Sequence, residues 1–158
     1  MLFIDRLLNS FDEYGVSYSL VGGYAVALHG APRGTVDIDC IIPHQLSQFV
    51  AIEKALFAIG LKPRIALDAK ELFASRLELV KDKSLYAWSF VNPNNPIECV
   101  DVIISHDLNA LQSVNLKYGQ RDIKVVCIEH LIAMKKHSAR PQDLEDIRAL
   151  EVLRARKS

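Results

Sequence analysis

Leu20-Val21-Gly22-Gly23-Tyr24-Ala25-Val26-Ala27-Leu28-His29-Gly30-Ala31-Pro32-Arg33-Gly34-Thr35-Val36-Asp37-Ile38-Asp39-Cys40-Ile41-Ile42 is the stretch around which the chain is organised. An apolar run breaks at a glycine pair, passes through a short helical piece and returns as a second apolar run carrying Asp37 and Asp39. Side chains alternate along a strand, so the two aspartates share a face, with Cα atoms about 6.6 Å apart. Arg33, on the preceding turn, is the one nearby cation. Paired carboxylates at sheet depth are costly unless cations meet them, and a divalent metal is the economical partner.

Outward from this stretch the elements fall into order. Leu2, Phe3, Leu7, Leu8 and Phe11 recur at helical spacing up to Gly15, and Val16 to Val21 reads as a strand. Tyr24 to His29 is a short helix closed by Gly30, and Val36 to Ile42 is the second strand. Leu46 to Leu56 marks a helix stopped by Gly60, and Lys70 to Leu79 is the best helical piece of the next segment. Tyr86 to Val91 and Ile97 to Ile104 flank Asn92-Pro93-Asn94-Asn95-Pro96, too short for a crossover, which predicts an antiparallel hairpin. Leu108 to Val114 reads as a brief helix and Ile123 to Cys127 as a last strand at an edge. Ile128 to Lys136 and Pro141 to Arg156 read as two closing helices. The order predicts an α+β fold, a mixed sheet with helices packed on it, in a single domain spanning residues 1–158.

Composition narrows the function classes. Half of the 158 residues are apolar, and 19 Lys and Arg balance 19 Asp and Glu, so no global charge attracts nucleic acid or an anionic membrane. Asp5 and Arg6 interrupt the first apolar stretch, which does not fit a secretory signal, and no apolar run has membrane-spanning length. A cytoplasmic protein is expected. Cys40, Cys99 and Cys127, odd in number and set in apolar strands, read as buried free thiols. His29, His44, His106, His130 and His137 lack a convincing metal spacing, and Tyr86, Trp88 and Phe90 read as core or a sheet face rather than a base-stacking platform.

Asp101 supplies the third acid. It is the one charge in the middle of the apolar strand Ile97 to Ile104, and it can face Asp37 and Asp39 if that strand lies beside theirs. Magnesium takes oxygen ligands from a few carboxylates, supplemented by substrate phosphates and water. A strand position at an exposed edge, or pairing with a basic group, is the structural alternative for Asp101.

With these residues in place, the chain resembles the polymerase-beta-like nucleotidyltransferase superfamily, and within it the small bacterial branch related to AbiEii-type abortive-infection toxins. The resemblance rests on Gly22-Gly23, His29-Gly30, Arg33, Thr35, the alternating Asp37 and Asp39, Asp101, and the final run from His130 through Lys135, Arg140 and Asp143 to Asp146. It implies a fold with two C-terminal helices and a magnesium-dependent transfer of a nucleoside monophosphate, ATP being one donor, to a hydroxyl acceptor. Asp37, Asp39 and Asp101 would hold two magnesium ions, with manganese as a substitute, and Asp101 would accept the hydroxyl proton. Gly22, Gly23, Arg33, Thr35, Lys135 and Arg140 would contact the nucleotide, and Asp143 and Asp146 would support the site from behind. RNA, in particular tRNA, or protein is implied as acceptor, and an antitoxin as partner. Many relatives have serine at the second glycine and lysine before the first C-terminal acid, where this chain has Gly23 and Gln142.

Each residue also has a plainer reading. Glycine pairs often mark ordinary strand-to-helix turns. Lys135 can be a solvated helix-end lysine with Lys136 as its competitor, Arg33 a surface turn residue, and Asp143 and Asp146 acids favoured by the helix N-terminus. The alternative function is therefore a catalytically inactive module of the same fold that binds a nucleotide or a partner chain.

Overall fold

The computed structural model describes residues 1–157. A seven-stranded mixed sheet forms its centre. In chain order the elements are α1 (Phe3–Glu13), β1 (Ser19–Val21), α2 (Gly22–Leu28), β2 (Ile38–Ile41), α3 (Leu46–Ala58), β3 (Lys62–Pro63), α4 (Ala69–Lys83), β4 (Ala87–Asn92) and β5 (Asn95–Ile103). A 3-10 turn (Leu108–Ala110), β6 (Ser113–Tyr118), β7 (Arg121–Val126), α5 (Ile128–Ser138) and α6 (Pro141–Lys157) complete them. The strands lie in the order β3-β4-β5-β2-β1-β7-β6. β2 runs parallel to β5 and β1 parallel to β7, while the other neighbours are antiparallel.

Strand alternation divides the sheet into two faces. On β4 and β5 the even-numbered Trp88, Phe90, Val100 and Val102 are fully buried. Trp88 stacks on Phe49 of α3, and Phe57 of the same helix meets Phe90 edge-on, so this face carries the aromatic core. α1 packs beside α3, burying Ile4, Leu7, Leu8 and Phe11 at helical spacing. Arg6 of α1 also grips the buried Glu98 of β5 through two hydrogen bonds of 2.8 and 3.0 Å. The odd-numbered residues, Asp39 and Asp101 among them, point to the opposite face.

Several boundaries differ from the sequence reading. The first strand begins at Ser19 and the second at Ile38, so Val36 and Asp37 lie outside the ladder. The predicted helix from Leu108 to Val114 is a three-residue 3-10 turn followed by β6. β6 is the edge strand, so β7, expected at an edge, lies inside between β1 and β6. Val114, Leu116 and Tyr118 in fact alternate with polar Asn115 and Lys117, the pattern of a half-buried strand. β3 was unforeseen because two residues give no periodic signal, and its Pro63 is tolerated on an outer strand, where a donor is dispensable. The predicted hairpin is β4 and β5, and both C-terminal helices are present. Among the described residues, no helix is long and apolar enough to cross a membrane.

Candidate active site

The turn from β1 into α2 shapes the floor of the site. Gly22 has φ +67°, a left-handed conformation natural to glycine, and a Cβ built there would collide with Asp39 Oδ2 and stand 2.9 Å from its Cγ. Gly23 is confined differently: its Cβ would lie 3.1 Å from the Arg33 guanidinium and 3.1 Å from Thr35. The pair therefore makes room for an acid and a cation packed against the start of α2.

The parallel pairing of β2 with β5 aligns Asp39 with Asp101. Burial, then the charge of Asp101 and a hydrogen bond shared with it, then the charge of Asp37, lift the Asp39 carboxyl to about 7, with Lys135 pulling the other way. Asp37 lies two residues upstream, just before the strand; it is exposed, and its electrostatic influence on Asp39 is weaker than that of Asp101. Among the described residues no group of three or more His, Cys, Asp and Glu side chains stands as a ready cation cage. The site centres on the Asp39–Asp101 pair, with Asp37 at its rim.

The two closing helices bring a second set of charges. Lys135 of α5, expected in solvent on residue type alone, is only 8% exposed. Its Nζ lies 2.8 Å from Asp146 Oδ2 and 3.4 Å from Asp143 Oδ1. Asp146 also accepts from Arg33 Nε at 3.0 Å and from the Gln142 amide at 3.1 Å. Asp143 accepts from Ser138 Oγ at 2.8 Å and from the backbone and Nε of Arg140 at 3.0 and 2.9 Å. Burial alone would raise both carboxyls, but hydrogen bonds from Arg140 and Ser138 hold Asp143 well below the usual range, and Lys135 and Arg33 hold Asp146 below it too. These two aspartates are ionised and over-compensated, whereas Asp39 lacks compensation.

The remaining candidates separate cleanly. Thr35 turns its hydroxyl to the backbone oxygen of Asp37 at 3.3 Å. Lys136 is exposed and takes no part in the Lys135 network. His29 is buried, its Nε2–H donating to the Val126 carbonyl at 2.9 Å, in the packed role that residue type suggests. Cys40 and Cys127 are buried thiols, but Cys99 is half-buried on the acid face. Trp88 and Phe90 are core residues and Tyr86 is exposed. Ser138 was missed by sequence reasoning, as was Ser89, which β4–β5 pairing places opposite Asp101. Only register reveals the latter.

The model of the family described as "Nucleotidyltransferase of unknown function (DUF6036)" matches residues 2–156. The chain belongs to that nucleotidyltransferase family. Solved nucleotidyltransferase structures share its fold. The solution structure of the antibiotic-resistance factor ANT(2'')-Ia aligns with a TM-score of 0.66 and 17% identity, over 97% of this chain and 88% of that one. The lincosamide antibiotic adenylyltransferase LnuA, in its lincomycin-bound crystal structure, aligns with a TM-score of 0.64 and 18% identity, over 96% of each chain. A crystal structure of ANT(2'')-Ia with adenylyl-2''-tobramycin aligns with a TM-score of 0.62 and 17% identity, over 96% of this chain and 92% of that one. No match is found among curated proteins. The family membership supports transferase activity; the abortive-infection branch is not among these likenesses.

Proposed function

We propose that this family member transfers the nucleoside monophosphate of a nucleoside triphosphate, ATP in the first instance, to a hydroxyl group of a small-molecule acceptor. The observation carrying this reading is Asp39 aligned with Asp101 against Gly22, with the charge of Asp37 also felt at Asp39. The acceptor oxygen bonds to the α-phosphorus, the bond from that phosphorus to the bridging oxygen breaks, and pyrophosphate leaves with the electron pair. The Asp101 carboxylate takes the hydroxyl proton. Positioning and charge neutralisation supply most of the rate in such a displacement.

The donor set suits magnesium. Burial first, and then the neighbouring carboxylates, lift the Asp39 carboxyl to about 7, so a cation binding there would relieve both costs. Magnesium is commonly held by one or two carboxylates together with substrate phosphates, so a complete protein cage is not required. Asp39 and Asp101 would hold it, with Asp37 joining at the rim, and when bound it supplies charge neutralisation at the transferring phosphate. Arg33 and Lys135, with their charges shared by Asp146, would orient the polyphosphate from the α6 side. Arg140, mostly exposed beyond its bond to Asp143, offers a further cation there.

The adenylyl group and the antibiotics belong to the fold neighbours, and favour ATP and a small acceptor here. The test is label transfer from α-labelled ATP with magnesium, against a panel of hydroxylated small molecules, total RNA and protein. Asp101→Asn should lower turnover by about 10²- to 10⁴-fold, the usual worth of a positioned base. ATP binding without transfer to any acceptor would favour the binding-module reading. A toxin acting on tRNA or protein, with an antitoxin partner, would show instead as growth arrest on expression, relieved by Asp37→Ala.

A further inference from the structure

The face that carries Asp101 continues, uncovered, towards the β3 edge. β4 pairs with β5 so that Ser89 faces Asp101 and Val91 faces Cys99, and all four are only half-buried, in contrast to the sealed aromatic face. β3 extends the rows: Lys62 pairs with Val91, and the Arg64 N–H donates to the Ser89 carbonyl at 2.9 Å. Register therefore places Lys62 and Arg64 on the acid face. Both are exposed, and among the described residues neither has an ion-pair partner. The Arg64 guanidinium leans back over the sheet to Cys99 Sγ, 3.6 Å from Nη2. Cys99 and Asp101 are two residues apart on one strand, roughly 7 Å.

Charge on this face is thus polarised. Carboxylates stand at one end, two unpaired cations at the other, and neutral Ser89, Val91 and Cys99 lie between them. An acceptor must reach the acids with its hydroxyl, and the uncovered surface adjoining Asp101 runs towards the cations. A polycation would meet Lys62 and Arg64 with like charge, at a cost that a neutral or anionic molecule avoids. A nucleic acid would need a broader basic surface than two side chains.

We propose that this face seats the acceptor, and that the acceptor is a hydroxylated small molecule bearing a phosphate or carboxylate roughly 7 Å from the reacting hydroxyl, held by Arg64 and Lys62. This rests on the nucleotidyl-transfer reading for the identity of the reaction, but the anion-binding face is testable without turnover. The experiment is a backbone amide titration by NMR at low salt, with glucose 6-phosphate, glucose, inorganic phosphate and tobramycin as separate probes, on wild type and on Arg64→Ala, Arg64→Lys and Lys62→Ala/Arg64→Ala.

Glucose 6-phosphate is expected to move the amides of Ser89, Cys99 and Asp101, with affinity falling at least fivefold in Arg64→Ala, further in the double variant, and largely restored in Arg64→Lys. Tobramycin should leave them unmoved, and glucose should bind more weakly than its phosphate. The proposal is overturned if the sugar phosphate leaves this face unperturbed, if tobramycin perturbs it equally, or if inorganic phosphate alone reproduces the whole pattern. Parallel titration with magnesium and ATP separates the two claims. ATP binding with a silent β3–β5 face defeats the acceptor assignment alone, whereas a responsive face in a protein that never binds ATP defeats nucleotidyl transfer and leaves the anion site.

Discussion

Replacing Asp39 with asparagine should stabilise the metal-free protein, and by an amount that grows with pH. Asp39 titrates near 7 in the fold, lifted from 3.8 by burial and by the carboxylates beside it. Below pH 4 the group is neutral in both folded and unfolded chains and contributes no difference. Between pH 4 and 7 the unfolded chain releases the proton that the folded chain retains, so stability falls as pH rises, and the loss levels off once the folded group also ionises. At 1.36 kcal/mol per pH unit, the rise from 3.8 to about 7 corresponds to a penalty of at most about 4 kcal/mol at pH 8.

Asparagine keeps the volume and can donate to Asp101, so Asp39→Asn removes the titration without opening a cavity. Urea denaturation of both proteins in EDTA at pH 5, 6, 7 and 8 should give difference values that diverge in favour of the variant, by about 2–4 kcal/mol at the upper end. In thermal melts a chain of this length would move by about 5–15 °C. Because the charges of Asp101 and Asp37 act on Asp39, the curve reports Asp39 in the presence of those acids rather than an isolated residue. Added magnesium should erase most of the pH-dependent loss in wild type and little in the variant. Parallel stability curves from pH 5 to 8, or a variant less stable at pH 8, would refute the argument that uncompensated charge gathers at Asp39.

Three further outcomes are expected. Gly22→Ala should cost about 2–3 kcal/mol in urea denaturation, combining left-handed backbone strain with displacement of the Asp39 carboxylate, and calorimetry should show magnesium–ATP binding lost with it. Lys135→Met should destabilise by about 2–4 kcal/mol, since it leaves Asp143 and Asp146 less compensated in the interior, and a double-mutant cycle with Asp146→Leu should recover part of the loss. Asp143 and Asp146 hold depressed carboxyl pKa values, so their stabilisation is present above pH 4 and disappears as acid protonates them. Together with Asp39's opposite slope, this should place the metal-free protein's stability maximum in mildly acidic solution, read from melts between pH 3 and 8.

What could be read from the sequence was what is local or chemically conspicuous. The turn from β1 to α2, Asp37 and the β2 residue Asp39 lie within one short stretch, and strand parity predicted a shared face for the two acids, although β2 starts only after Asp37. Asp101 stood out because a lone carboxylate amid Val100, Val102 and Ile103 is an energetic oddity that asks for a partner. Lys135 was harder, because a lysine near a helix end is ordinarily solvated and only the docking of α6 encloses it between Asp143 and Asp146. β6 followed a legible alternation that the preceding turn obscured. The row from Arg64 through Ser89 to Asp101 was out of reach, since it depends on the register of the β4–β5 hairpin and on the docking of the two-residue β3 beside it.

The two sets of aspartates argue for a division of labour. Asp143 and Asp146 are surrounded by donors that favour the charged form, so a magnesium ion would have to displace Arg140, Lys135 and Arg33 to reach them. Asp39 faces another carboxylate and has no ion pair of its own, with Lys135 and Arg140 acting on it only through their charges, so an incoming cation there removes a repulsion instead of competing with an existing pair. The same logic limits Lys135. Were it to swing wholly onto a bound phosphate, it would leave two buried carboxylates short of charge, a loss of several kcal/mol that the new contact would have to offset. On the proposed reading Lys135 and Arg33 would act best in place, sharing their remaining hydrogen-bonding capacity with the polyphosphate while Asp146 holds both in position. If the two cations it aligns serve the outer phosphates as proposed, Asp146→Asn should weaken triphosphate binding more than monophosphate binding, and equal weakening of both would show that they serve only the fold.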